Sequence, residues 1–90
     1  MQGAEKEDTV KKCVEMLENI RDDTTVPRNI RRSMGEIKDK LLNKEESHAL
    51  RAAAGISDLE VLTTHPNIPA YARTMVWSII TQLETVSVEG

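Results

Sequence analysis

The strongest constraint on the fold is a pattern that occurs twice in this chain, 42 residues apart. Residues 25–34 read TVPRNIRRSM and residues 67–76 read NIPAYARTMV. In both copies a proline, Pro27 or Pro69, follows an aliphatic residue, and proline suits the first turn of a helix because its missing N–H costs nothing there. A repeat of this length usually marks a duplicated supersecondary unit. The sequence therefore predicts two copies of one helical hairpin.

Apolar residues recur at spacings of three and four along four segments, which is the period of an amphipathic helix. In the first segment Val10, Val14 and Leu17 fall on one face. Asn43 followed by Glu46 resembles a capping box and predicts that the third helix starts there. The predicted helices span residues 5–21, 27–42, 44–62 and 69–86.

The connections between these helices are short, which favours antiparallel neighbours. A chain of 90 residues can bury one core, and no segment alternates as a strand does. Two hairpins are also fewer than the three repeats that a solenoid normally needs. We therefore predict an all-α fold, a four-helix antiparallel bundle built from two duplicated helical hairpins, as a single domain over residues 1–90.

Composition limits the surroundings and partners of the chain. The net charge of -3 gives no general reason to expect nucleic acid as a partner. No run approaches the roughly 18 apolar residues of a membrane span, and residues 1–9 are too polar for a secretory signal. The single cysteine, Cys13, cannot form an internal disulfide. We predict a cytoplasmic protein without membrane contact.

Each predicted hairpin carries one acid before its loop and one arginine after it. The acids are Glu18 and Glu60, and the arginines are Arg31 and Arg73. An arginine in the first turn of a helix opposes the helix dipole, so a nearby carboxylate or a bound anion stabilises it. The symmetry predicts a structural clamp that pairs Glu18 with Arg31 and Glu60 with Arg73.

The two copies differ most on their outer faces, where the second copy is apolar and the first is polar. An apolar outer face indicates a partner surface, and tryptophan is a common anchor of such surfaces. The partner would be another protein or a second copy of the chain, the latter giving a homodimer. An equally weighted alternative is that helices 3 and 4 are simply more buried, with Trp77 packed over Gly35 or Ala53. The predicted contact residues are Leu50, Val61, Trp77 and Ile80.

Arg28, Arg31 and Arg32 form a basic cluster near the start of the second helix. Such a cluster can hold phosphate or an acidic partner. Acidic residues lie beside it and no aromatic residue is interleaved, so a solvated, partly paired face is the favoured interpretation. The alternative function is a nucleic-acid or phosphate-binding accessory protein that uses these three arginines for anion binding.

Catalysis finds no support in the sequence. His48 and His65 lie 17 residues apart, at or near opposite ends of one predicted helix, which is too far to share a metal ion. Cys13 lies on an apolar helix face, where a thiol is usually inert. There is no phosphate loop and no nucleophile elbow. We predict a non-enzymatic protein-interaction or scaffolding module with no catalytic residue, metal or cofactor.

Three segments carry a family resemblance: residues 23–32 (DTTVPRNIRR), 50–54 (LRAAA) and 66–77 (PNIPAYARTMVW). Through them the chain resembles the archaeal uncharacterised protein family number 147, from about residue 10 to residue 83. The resemblance implies an all-helical bundle from an archaeal cytoplasm. It implies no activity, because this family has no assigned function, cofactor or catalytic residue.

Overall fold

A computed structural model describes residues 3–88 of the chain, and these residues contain four α-helices and no β-strand. The all-α prediction is confirmed. All four predicted helices are present, with small shifts at most ends and one larger shift at the start of the third. The helices are α1 (Gly3–Arg21), α2 (Arg28–Leu41), α3 (His48–Thr63) and α4 (Ala70–Ser87).

The helices pack in a ring, in which each contacts the next along the chain and α4 returns to contact α1. The most extensive contact is between α3 and α4, and α1 also contacts α3 across the middle. The molecule measures 37 × 18 × 16 Å, so the helices run along its long axis. Near the first turn of α1, Lys6 Nζ donates a hydrogen bond to the carbonyl oxygen of Val88 at 3.4 Å.

The core is aliphatic and is built from one face of each helix. On α1 the buried residues include Val10, Leu17 and Ile20, at the spacing the sequence predicts. Leu17 is fully buried, so Leu17→Ala is expected to cost about 2 to 5 kcal/mol through lost burial and a residual cavity. Packing of these faces, more than helix propensity, stabilises the helices.

Gly55 lies where three helices approach one another closely. A Cβ atom at this position would lie 3.1 Å from Leu41 Cδ2 and 3.3 Å from Leu83 Cδ1. These distances are shorter than ordinary carbon contacts of about 3.5 to 4.0 Å. The missing side chain of Gly55 therefore lets the leucines of α2 and α4 close over α3.

Three connections of six residues each join the helices: loop 1 (22–27), loop 2 (42–47) and loop 3 (64–69). In each loop a side-chain acceptor binds the backbone N–H two residues ahead, as in an Asx turn. Asp23 Oδ1 accepts from Thr25 at 2.9 Å, Asn43 Oδ1 accepts from Glu45 at 3.1 Å, and His65 Nδ1 accepts from Asn67 at 3.2 Å. The three loops thus use one turn with three different side chains.

The predicted start of the third helix at residue 44 is wrong, because α3 begins at His48. Asn43 closes the loop 2 turn, and the N-cap is Ser47, whose hydroxyl accepts from the Leu50 N–H at 3.2 Å. Asparagine suits both an N-cap and an Asx turn, so the local sequence did not separate the two. Pro27 and Pro69 were predicted to be the first residues of their helices. They are instead the N-cap residues, one position before α2 and α4 begin.

Loops 1 and 3 lie at one end of the molecule, which we call the two-loop end. There the Tyr71 hydroxyl donates to Asp23 Oδ2, and Asn29 Nδ2 lies 3.1 Å from His65 Nε2. Loop 2 lies at the other end, the one-loop end, together with the first turns of α1. The two ends hold the bundle together through different polar contacts.

Candidate protein-interaction surface

The structure places three of the four predicted contact residues on the surface. Leu50 is 59% exposed, Val61 is 70% exposed and Trp77 is 50% exposed. Ile80 is only 3% exposed, so its assignment to an outer face is wrong. The reason is that α4 packs against both α1 and α3, which widens its buried stripe enough to include Ile80 beside Ile79.

Leu50 and Val61 belong to a line of residues along the outward side of α3. We call Leu50, Ala54, Ser57 and Val61 the α3 stripe; all four are exposed and their spacings are four, three and four. Such spacings keep residues on one side of a helix. The opposite side of α3, which includes Ala52 and Leu59, is fully buried. The two large aliphatic residues of the stripe therefore serve no packing role in the core.

Three residues of the α3 stripe line a groove between α2 and α3, which we call the α2–α3 groove. It contains two open hollows of about 250 and 280 Å³. Val61 lines the first hollow, and Leu50 and Ala54 line the second. Lys40 lines both hollows, and its Nζ lies 2.5 Å from Asp58 Oδ2 across the groove.

The two acidic residues at the groove that remain without an ion pair are Glu36 and Glu46. Glu36 lines the first hollow, Glu46 lines the second, and both are exposed. Within residues 3–88 neither carboxylate forms an ion pair. Helical periodicity alone does not point to these two residues, because the groove exists only once α2 and α3 are packed.

Arg51 also lines the second hollow, but its guanidinium is 5% exposed and fully engaged. Its Nε donates to the Glu46 carbonyl at 3.1 Å and its Nη1 to the Leu41 carbonyl at 3.0 Å. Its Nη2 lies 3.7 Å from Glu7 Oε2. Arg51 is therefore a structural residue that joins loop 2, α2 and α1.

The predicted clamp has different partners from those expected. Arg31 Nε donates to the Val26 carbonyl at 3.0 Å, and Arg73 donates to the carbonyls of Thr63 and His65 at 3.2 and 3.3 Å. Among residues 3–88 no ion pair joins either arginine to Glu18 or Glu60. The arginines bind loop carbonyls because a planar guanidinium reaches several acceptors at a helix end.

Glu18 lies 3.6 Å from both Arg21 and Lys38, so it pairs within α1 and across to α2. Arg51 occupies the position after loop 2 that Arg31 and Arg73 occupy after loops 1 and 3. It stands eight residues after Asn43, just as Arg31 follows Asp23 and Arg73 follows His65. That equal spacing was the signal from which the third arginine could have been found.

The basic cluster is divided by the fold. Arg31 is half-buried and bonded to a loop carbonyl, whereas Arg28 and Arg32 are exposed. Arg28 and Arg32 are four residues apart on α2, so they lie on one side of that helix. Only these two arginines are free to meet an anion.

The two histidines bridge elements at opposite ends of the bundle. His48 Nε2 binds Glu7 Oε2, which joins α3 to α1. The hydrogen bond from His48 holds the pKa of Glu7 below its ordinary value of 4.5, with Arg51 adding to the effect and burial opposing it. His65 Nε2 lies 3.1 Å from Asn29 Nδ2, which joins loop 3 to α2, and its Nδ1 accepts from the Asn67 N–H within loop 3.

The Cys13 thiol is buried in the core. Burial raises the pKa of the Cys13 thiol to about 11, so the thiol is protonated at neutral pH. Across residues 3–88, no three His, Cys, Asp or Glu side chains cluster closely enough to hold a metal ion. None of the four described helices is long and apolar enough to cross a membrane.

The sequence pattern of Uncharacterised protein family (UPF0147) matches residues 1–86. The chain belongs to this family. A UPF0147 protein of Methanosarcina mazei is 44% identical over 89 residues, which cover 99% of this chain and 96% of that protein. The family resemblance predicted from the three sequence segments is confirmed, and the relatives come from archaea.

Two solved crystal structures are similar to the fold described above. One is a UPF0147 protein from Thermoplasma acidophilum, with a TM-score of 0.84, 34% sequence identity, and coverage of 90% of this chain and 95% of that one. The other is MMP1188, a protein of unknown function, with a TM-score of 0.85, 40% identity and coverage of 92% of both chains. Neither protein is named with an activity, so the exposed surface is the remaining guide to function.

Proposed function

We propose that this chain is a small, non-enzymatic protein-interaction module that binds a partner protein through the α3 stripe. The observation that supports this most directly is the exposure of Leu50 and Val61, at 59% and 70%, on a helix whose other side is buried. Exposed apolar side chains gathered on one surface are a common mark of a protein contact. Leu50 and Val61 act as the apolar anchors of that contact, and the small residues between them let a partner backbone approach.

Trp77 extends this proposal to α4. It is half exposed and lines neither hollow of the α2–α3 groove. Tryptophan is enriched among the residues that carry binding energy at interfaces. A partner that covers the outer sides of both α3 and α4 would use Trp77 as a further anchor.

The proposal is tested by affinity capture from a lysate of the source organism, using the tagged chain and a Leu50→Ser/Val61→Ser variant. Substitution of exposed residues is expected to change stability by no more than about 0.5 kcal/mol, so the variant stays folded. We expect it to lose a specific bound protein that wild type retains. Val88→Ser, which alters a residue 64% exposed beyond α4, is the matched control and should retain the partner.

The capture experiment has outcomes that contradict the proposal. If the Leu50→Ser/Val61→Ser variant recovers the same proteins as wild type in equal amounts, the α3 stripe is not a contact surface. Sedimentation velocity of the purified chain separates self-association from binding of another protein. A wild-type dimer that the double variant converts to monomer would make the partner a second copy.

A second proposal uses the exposed pair Arg28 and Arg32 to bind phosphate or nucleic acid. It is supported by their exposure on one side of α2, where within residues 3–88 neither guanidinium is in an ion pair. Binding of this kind weakens steeply as salt rises, because counterions are released. Titration of duplex RNA and DNA into wild type and Arg28→Ala/Arg32→Ala at two salt concentrations tests it. Weak binding that is equal in both proteins would reject this function.

A further inference from the structure

The α2–α3 groove has two features that together define a ligand: an apolar wall and two carboxylates without ion pairs. The large residues of the α3 stripe, Leu50 and Val61, are eleven residues apart. At 1.5 Å per residue they are separated by about 16 Å along α3, which is three helical turns. A ligand that contacts both must therefore be extended over about this length and must have one apolar side.

The charges that line the groove leave a net negative surface. Lys40 and Asp58 neutralise each other at 2.5 Å, and the buried Arg51 is engaged with two carbonyls and Glu7. Glu36 in the first hollow and Glu46 in the second are then the lining charges without an ion pair, and the exposed Arg32 lies one helical turn before Glu36 on α2. A polyanion such as nucleic acid or an anionic lipid surface would be repelled here, whereas lysine or arginine side chains would be attracted.

We propose that the α2–α3 groove binds a cationic amphipathic helix of another protein, and this rests on the proposed function of the α3 stripe. Apolar side chains at positions i, i+4, i+7 and i+11 of the ligand helix would meet the α3 stripe, because that spacing keeps them on one side over three turns. Lysine or arginine side chains beside that apolar line pair with Glu36 and Glu46. The small residues Ala54 and Ser57 allow the two helix backbones to approach closely at the middle of the contact.

A second copy of this chain does not fit that description. Its exposed large apolar residues on helices lie on α3 and α4, namely Leu50, Val61, Tyr71 and Trp77. The basic residues of those two helices are Arg51, which is buried, and Arg73, which is half-buried. The described part of the chain thus lacks a helix that joins an exposed apolar line to exposed bases.

The test uses a synthetic, side-chain-stapled helical peptide of about 16 residues, a length at which stapling is needed because short helices are marginal in water. It carries leucine at i, i+4, i+7 and i+11 with lysines beside them. A second peptide replaces the lysines with glutamate, and a third has the composition of the first with its leucines scattered around the helix. Fluorescence anisotropy measures affinity, and amide chemical-shift changes locate the contact.

We expect the lysine peptide to bind at least about 10-fold more tightly than the glutamate and scattered peptides, with shifts confined to residues 33–40 and 46–61. Glu36→Gln/Glu46→Gln should weaken its binding about 5- to 10-fold at low salt, and added salt should reduce that difference. Glu15→Gln/Glu84→Gln, which removes two exposed acids outside the groove, is the matched control and should bind as wild type does.

Three results would overturn the inference: no saturable binding of the lysine peptide, equal binding of the lysine and glutamate peptides, or an unchanged affinity in Glu36→Gln/Glu46→Gln. Its failure can be separated from failure of the proposed function by using the partner captured from lysate. If that partner is lost by Leu50→Ser/Val61→Ser but kept by Glu36→Gln/Glu46→Gln, the α3 stripe is a contact surface for a different kind of ligand.

Discussion

The two ends of the bundle use the same turn but close it with different chemical groups. At the two-loop end the turn acceptors are the carboxylate of Asp23 and a ring nitrogen of His65, whereas at the one-loop end the acceptor is the amide oxygen of Asn43. The backbone requires only an acceptor at this position, and a carboxylate, an amide oxygen or an unprotonated ring nitrogen each provides one. The geometry of the turn therefore does not depend on which of these three groups supplies the acceptor.

The histidines sharpen this difference. At the one-loop end His48 donates from Nε2 to Glu7, a role that both neutral and protonated imidazole can fill. At the two-loop end His65 Nδ1 must stay unprotonated to accept from Asn67. The proton of the neutral ring is then on Nε2, which needs an acceptor. Asn29 supplies this acceptor as Oδ1 when its side-chain amide is turned by 180°, an orientation assigned from the hydrogen-bond network. The two histidines therefore have opposite roles: His48 is a donor at the one-loop end, and His65 is a turn acceptor at the two-loop end.

The largest expected contrast between the ends comes from the three loop arginines. Arg51→Met keeps an apolar stem but leaves two carbonyls and Glu7 without the donor, so the free energy of unfolding should fall by about 3 kcal/mol. Arg31→Met and Arg73→Met remove half-buried guanidinium groups and should cost about 1 kcal/mol each. Urea unfolding measures all three. Equal losses would show that the one-loop end does not depend more strongly on its arginine.

Glu7→Gln tests the one-loop end through pH. The folded-state pKa of Glu7 lies below 4.5, so the unfolded carboxylate is protonated first as pH falls. Its contribution is therefore fully present above the unfolded pKa and is lost as pH falls through the folded pKa. We expect Glu7→Gln to cost about 1 kcal/mol at neutral pH and progressively less below pH 4.5. A difference that stays constant over this range, or an equal loss in the exposed control Glu5→Gln, contradicts this role.

His65→Asn tests the two-loop end, because asparagine supplies the same kind of turn acceptor in loop 2. The variant keeps an acceptor for the Asn67 N–H, so its free energy of unfolding should change by no more than about 0.5 kcal/mol, whereas His65→Ala removes the acceptor and should cost about 1 kcal/mol. Urea unfolding of both variants measures this. Equal losses in His65→Asn and His65→Ala would contradict the role of His65 Nδ1 as the turn acceptor.

The smallest effect is expected at Asp23, whose pKa is held below its ordinary 3.8 mainly by the hydroxyl of Thr25 and then by the Thr25 N–H. Thr25→Val removes the hydroxyl and keeps the N–H, so the pKa of Asp23 should rise toward 3.8. Thr25→Ser keeps the hydroxyl and should leave the pKa low. Titration of the Asp23 carboxyl carbon by NMR distinguishes them, and an unchanged pKa in Thr25→Val would mean that the hydroxyl is not the main cause.

Periodicity predicted the helices well because burial in a bundle follows helical spacing. Val10, Leu17 and Ile20 on α1 are buried as expected. Periodicity gave a wrong result for Ile80, which lies at the edge of the buried face of α4. This residue was predicted to face outward, but α4 contacts both α1 and α3, and these contacts bury it. The predicted start of α3 was wrong for a local reason, since Asn43 suits both an N-cap and a turn.

The candidate surface was predictable only in part. Leu50 and Val61 could be named because they fall away from the buried side of α3. The sequence did not identify the charged residues beside the α3 stripe, because they become its neighbours only when α2 packs against α3. These residues are Glu36, Lys40 and Glu46. Whether the two hairpins arose by duplication stays a prediction, although the shared turn in loop 2, which lies between them, shows that one local geometry recurs at all three connections.

The hydrogen bond between Lys6 and Val88 brings the start of α1 beside the end of α4, so the four helices form a cycle in which three of four junctions are covalent. A six-residue link can span up to about 20 Å, enough to join residue 88 to residue 3 as the other junctions are joined. A circular permutant opened in loop 2 would keep every helix contact while placing α3 first in the chain. In this permutant no loop would join α2 to α3. The α2–α3 groove would then be a contact between the last helix and the first helix of the chain.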